Sequence, residues 1–177
     1  METPPMPRPQ TPDTPAPPLR ETSWLSVAAI VLIVVLLLSV LADIGARVSG
    51  SVVTGQNWTG VLNAFLLAQL VNLPTFIFIG VLGDFASLFG RTGEGEVFTA
   101  RNLKTLRSAG HGLIWAAAAS SLIVPTVLSW TTGDGRGFIW DVNDLALGTG
   151  AMGCALLGLV HVFAEGIRLK ADSDQII

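Results

Sequence analysis

One cysteine in 177 residues, only two histidines and few charges set the first limits on this chain. Cys154 has no second thiol to pair with, so no disulfide can form within the chain. Cys154, His111 and His161 lack the clustered spacing of a zinc site, and no metal or cofactor is expected. Charged residues make up 13% of the sequence, against about 25% for a soluble domain. None falls in the middle of an apolar run, which argues against an intramembrane proton or ion relay. No nucleophile, base and orienting group come together at a membrane boundary, so no catalytic residues are expected and the chain reads as a non-enzyme. The small net charge of −3 identifies no partner class and gives no sign of direct nucleic-acid binding.

What the chain has in quantity is apolar sequence. Half of it is hydrophobic, gathered into four uncharged runs: Trp24–Ala42, Val61–Gly83, Gly110–Trp130 and Leu145–Ala164. Each holds roughly twenty residues, enough for a helix to cross about 30 Å of hydrocarbon. The fold class is therefore all-α: a polytopic membrane protein of four transmembrane helices in a small bundle, surrounded by the lipid bilayer. The spans are expected at about 24–44, 61–84, 108–130 and 145–166, within a transmembrane domain over 24–170. A short cytoplasmic C-terminus follows at 171–177. Residues 1–23 carry eight of the ten prolines and almost nothing apolar, so a disordered cytoplasmic tail is expected there. Val40 and Ala42 offer small residues at cleavage positions, yet the apolar run is too long and its leading tail too extended for a signal peptide. A retained first span is expected.

Lys and Arg sort by segment. The tail has Arg8 and Arg20, the second connection Arg91, Arg101, Lys104 and Arg107, and the C-terminus Arg168 and Lys170. Only Arg47 and Arg136 fall in the first and third connections. The positive-inside rule then puts both termini and the second connection in the cytoplasm. Trp24 near one face and Trp58, Trp130 and Trp140 near the other suit indole at the two interfaces. Asn57-Trp58-Thr59 matches a glycosylation acceptor, a three-residue pattern common by chance.

Thr99 reads as the N-cap of a basic amphipathic helix in which Arg101, Lys104 and Arg107 recur every third residue. Two uses stay open: cations meeting anionic headgroups, at roughly 1 kcal/mol each, or a docking site for an acidic cytoplasmic partner. At the end of the fourth span His161 and Glu165 are one turn apart with Arg168 just beyond, a cytoplasmic polar pair with too few ligands for a metal. In the second span Asn63, Gln69 and Asn72 need polar partners, so this helix is expected to face the bundle interior. They serve as inter-helix hydrogen bonds or line a small polar pocket. Pro74 is expected to kink the helix near Asn72.

Gly148-Thr149-Gly150-Ala151-Met152-Gly153 matches G-x-G-x-x-G, but no βαβ pattern or later acidic residue supports a nucleotide site. The small residues instead suggest a helix-packing stripe of Gly150, Cys154 and Gly158, opposed by Ala116–Ala119.

Two stretches carry a resemblance: Val97-Phe98-Thr99-Ala100-Arg101-Asn102-Leu103-Lys104-Thr105-Leu106-Arg107, and Val162-Phe163-Ala164-Glu165-Gly166-Ile167-Arg168-Leu169-Lys170 with the terminal Asp174-Gln175-Ile176-Ile177. With the four-span layout, the chain resembles a bacterial membrane family, domain of unknown function 2975, over roughly residues 24–177. The proline-rich tail lies outside the likeness, as does the polar composition of the second span. The resemblance implies a small inner-membrane protein of four helices without catalytic residues, often encoded beside a very small helix-turn-helix regulator. The basic helix and the C-terminal end would then form a cytoplasmic platform for a protein partner of that kind. The sequence-level function is a regulator or scaffold; the alternatives are an accessory subunit of a larger membrane complex and a small transporter or channel component.

Overall fold

The computed structural model describes residues 21–92, 99–133 and 137–174. Most of the proline-rich tail and the start of the Val97–Arg107 stretch therefore lie outside the described residues. Within them the chain is helical: α1 (Glu21–Val53), α2 (Trp58–Val71), α3 (Leu73–Thr92), α4 (Ala100–Ala118), a π-helical turn (Ala119–Ile123), α5 (Val124–Thr132) and α6 (Asp144–Asp174). Four helical stretches are long and apolar enough to cross a membrane: Trp24–Val53, Leu73–Gly90, Ala100–Thr131 and Asp144–Leu169. Their outward surfaces are dense with aliphatic side chains, among them Val27, Val31, Leu38 and Leu41 on α1. Water would not tolerate such a surface; lipid does.

The expected second span divides in two. Pro74, near the start of α3, has no N–H to return to the preceding turn, and Asn72 closes α2 with φ −85° and ψ 0°. Both the backbone N–H and the side-chain amide of Asn72 donate to the Ala68 carbonyl, at 3.1 Å and 2.9 Å, and so close the last turn of α2. The long apolar helix of this segment is consequently Leu73–Gly90, with Trp58–Val71 a shorter apolar helix before it. At the other end of the chain, α6 runs to Asp174, so the C-terminal segment expected from 171 is helical through that residue. The basic segment is likewise no separate helix: Arg101, Lys104 and Arg107 occupy the first turns of α4.

The long helices pack in series. α6 lies on α4, α4 on α3, and α3 on α1, while α2 folds back on α1. The backbones of α4 and α6 approach closely: a Cβ on Gly153 would stand 2.8 Å from the Gly110 carbonyl oxygen and 2.9 Å from Ile114 Cγ1. On the other face of α4, a Cβ on Gly112 would lie 2.5 Å from Val81 Cγ2 of α3. Val81, Ala109 and Leu113 form the buried cluster there, with Phe78, Phe85 and Leu156 around it.

These contacts set the levels of the helices. Gly110 meets Gly153 and Ala117 meets Gly150, so α4 runs beside the first part of α6 in opposite directions. α6 begins at Asp144, roughly level with the π-helical turn, and α5 extends past it. The chain covers that overhang by returning along α5. Thr126 Oγ1 donates to the Ile139 carbonyl at 3.0 Å and accepts the Ile139 N–H at 3.2 Å, and Trp130 Nε1 donates to the Gly137 carbonyl at 3.3 Å. The Asp141 N–H reaches the Ser121 carbonyl at 2.9 Å. Pro125 is the reason that carbonyl is available: in a regular helix the residue four positions on would use it, and proline cannot. The widened turn, in which the Val124 N–H reaches back to Ala119, accommodates the defect.

Candidate functional site

Three places bring polar chemistry to the surface of this apolar framework. The first is the start of α4. Thr99, with extended backbone (φ −111°, ψ 150°), accepts the Asn102 N–H at 3.3 Å and caps the helix. Asn102, Ala109, Gly110 and Leu113 are buried, whereas Arg101, Lys104 and Arg107 are exposed. Among the described residues none of the three cations enters an ion pair. His111 Nδ1 lies 2.8 Å from the Arg107 carbonyl oxygen, next to this basic strip. His161, Glu165 and Arg168 on α6 are also exposed, and no ion pair joins them among the described residues. The result is a helix whose backbone is fixed by a cap and by packing on two neighbours, with its cations turned outward.

The second place is the break between α2 and α3. Asn72 Nδ2 donates to Asp43 Oδ2 of α1 at 2.9 Å, and Arg47 Nε donates to the same oxygen at 2.8 Å. Asp43 and Arg47 are one helical turn apart and partly open, with 39% and 44% of their side chains exposed. Thus the amide nearest the helix break is committed to an acid on the neighbouring helix. Asn63 is exposed and Gln69 half-buried. The three amides expected to act together are therefore divided among different environments. Asp43 escaped the sequence reading because it sits at the edge of the first apolar run. The visible signal was its spacing to Arg47.

The third place is a cleft of about 210 Å³ between α1, α3, α4 and α6. Leu36, Phe78 and Leu145 contribute apolar surface to it, and Thr75, Ser120, Asn143 and Thr149 are its polar lining residues. No titratable side chain lines it. The cleft exists because α1 packs closely on α3 and not on α6, which leaves the series of helices unclosed.

The small residues of α6 serve a different register from the one expected. Gly150 does approach Ala117 of α4, with 3.4 Å to a built Cβ. Cys154 is exposed, and a Cβ on Gly158 would meet nothing within 4 Å. The close approach belongs to Gly153, one position away from Cys154, opposite Gly110.

Comparison with known proteins gives a family without an activity. The family model "Protein of unknown function (DUF2975)" matches residues 12–177, and the chain belongs to that family. The match starts inside the proline-rich tail, at residue 12, so part of that tail falls within the family region, contrary to the start near residue 24 that was expected. No curated protein and no solved structure matches the chain.

Proposed function

We propose that this member of the DUF2975 family is a non-enzymatic inner-membrane protein, a regulator or scaffold that holds an acidic cytoplasmic partner on the basic face of α4. The observation that supports this reading most is the exposure of Arg101, Lys104 and Arg107 on a helix that cannot reorient. Thr99 caps its start, and Gly110 and Leu113 are buried only a few turns further on. A rigid row of cations loses little conformational freedom at the backbone when a partner binds, which favours recognition over simple solvation. In this reading both termini and the α3–α4 connection are cytoplasmic, as the positive-inside rule requires. The His161–Glu165–Arg168 segment flanks the docking face. A small helix-turn-helix regulator with an acidic surface suits the site, and nucleic acid then meets the partner and not this chain.

Charge reversal at all three positions (Arg101→Glu, Lys104→Glu, Arg107→Glu) tests the reading. Native membranes expressing tagged wild type and variant are solubilised in mild detergent, and soluble companions are quantified by mass spectrometry. The stoichiometric cytoplasmic companion of the wild type disappears from the variant while the variant itself still inserts and purifies. A companion retained at full stoichiometry refutes the reading. A second reading, an accessory subunit of a larger membrane complex, is favoured by the open space around Gly158 and the exposure of Cys154. That small-residue face of α6 is left for a helix outside this chain. It requires a membrane-embedded companion that is lost with Gly158→Leu and kept with the triple charge reversal.

A further inference from the structure

The cleft between α1 and α6 has features that the packing of the helices does not account for. It lies where the backbone leaves the helical state. Asn143, at its polar side, ends the segment Gly137–Asn143, which is not helical and whose Phe138 and Trp140 are exposed. Exposed backbone of that kind cannot be immersed in hydrocarbon, where every unpaired N–H and C=O costs several kcal/mol. The membrane surface therefore passes near Asn143, and the cleft opens just beneath it. Leu36, Phe78 and Leu145 offer apolar surface, and Thr75, Ser120, Thr149 and Asn143 supply its polar groups.

Those hydroxyls are not equivalent. Ser120 Oγ donates to the Ala117 carbonyl at 3.0 Å, and Thr149 Oγ1 to the Leu145 carbonyl at 2.8 Å. The Thr75 hydroxyl, half-buried in the first turn of α3, makes no hydrogen bond among the described residues. Asn143 uses its side-chain oxygen to accept the Ala146 N–H at 2.7 Å, capping α6, which leaves its amide N–H groups to donate elsewhere. The cleft thus presents hydrogen-bond donors and no charged side chain among its lining residues. That chemistry suits a neutral acceptor attached to an apolar chain. A phosphate or carboxylate would find no cation there. We infer that the cleft holds one acyl chain of a bilayer phospholipid, entering sideways between α1 and α6, with the carbonyl of its ester accepting from Thr75 and Asn143. The inference is independent of the partner proposed for the basic face of α4. The two sites share no residue, and the ligands have opposite requirements for charge.

The test uses the full chain reconstituted in vesicles of phosphatidylethanolamine and phosphatidylglycerol that carry a trace of phosphatidylcholine with a diazirine in one acyl chain. After irradiation, adducts are mapped by peptide mass spectrometry. Labelling at the half-buried cleft residues Leu36 and Phe78 should exceed that at Leu38 and Leu159, which face outward with 61% and 48% exposure. Thr75→Val keeps the size of the side chain and removes the hydroxyl; it should lower cleft labelling about five-fold, the worth of one neutral hydrogen bond. Leu36→Trp narrows the cleft from the lipid-facing helix and should lower it as well. Circular dichroism and the melting curve confirm that each variant is folded. Equal labelling of the cleft and the outward faces, as from annular lipid only, overturns the inference. So does strong cleft labelling that is indifferent to both substitutions.

Discussion

A single methyl group placed at Gly153 should loosen the pairing of α4 and α6. In Gly153→Ala the new Cβ would meet the Gly110 carbonyl oxygen at 2.8 Å, Ile114 Cγ1 at 2.9 Å and the Ile114 nitrogen at 3.1 Å. Two of the three obstacles are backbone atoms of α4, so no rotamer change relieves the clash and the helices must part by a few tenths of an ångström. Overpacking of this kind costs about 1–3 kcal/mol. The better helix propensity of alanine offsets at most about 1 kcal/mol of that. The net loss then falls between about 0 and 3 kcal/mol. Gly158→Ala is the matched control, because its Cβ meets nothing within 4 Å; it should be neutral or slightly stabilising. Unfolding in mild detergent, driven by sodium dodecyl sulfate and followed by far-ultraviolet circular dichroism, measures both. Equal destabilisation by the two substitutions would refute the assigned register, since it would mean that Gly158 is packed. A Gly153→Ala variant as stabilised as Gly158→Ala would refute the close approach itself.

Two further perturbations probe the irregular backbone. Asn72→Leu removes the donor to Asp43 and the side-chain bond to the Ala68 carbonyl; at a site this open, about 1 kcal/mol is expected. It should appear as faster amide exchange across α2, with α6 unaffected, and unchanged exchange in α2 would mean that Asn72 is not what holds the break. Pro125→Ala supplies an N–H that can claim the Ser121 carbonyl and so competes with Asp141. The Asp141 amide should exchange faster, and unaltered protection there would remove proline as the cause of the π-helical turn.

Local features were the legible ones. Thr99 followed by a run of helix formers predicts an N-cap, and the cap is there because its geometry depends on only four residues. The interruption beside Pro74 follows from a missing N–H, a covalent fact that no tertiary contact can alter. Register between helices is another matter. α6 carries Gly148, Gly150, Gly153, Cys154 and Gly158 on more than one face, and composition cannot say which face meets a neighbour. Only Gly110, a residue of the opposing helix, selects Gly153. The polar partners of Asn72 were hidden for the same reason: Asp43 lies 29 residues away in sequence. The cleft has no local signature at all, because it is the space left between α1 and α6.

Hydropathy also misses the relative levels of the segments. The apolar runs 110–130 and 145–164 look like two spans of equal depth. Gly110, however, meets Gly153, and Ala117 meets Gly150, so the second half of the third run rises beyond the start of α6. The level of the membrane surface is not written in the run itself; it comes from Asn143, whose non-helical neighbours must stay out of hydrocarbon. With α3 providing 20 residues, about 30 Å, the level fits Leu73 near one surface and the end of α3 near the other. The cations of α4 then fall near that second surface, where long side chains can snorkel to headgroups or meet a soluble partner. The stagger therefore sets α5 beyond the start of α6 and leaves the cleft beneath that surface, while at the other end α6 runs past the basic first turns of α4.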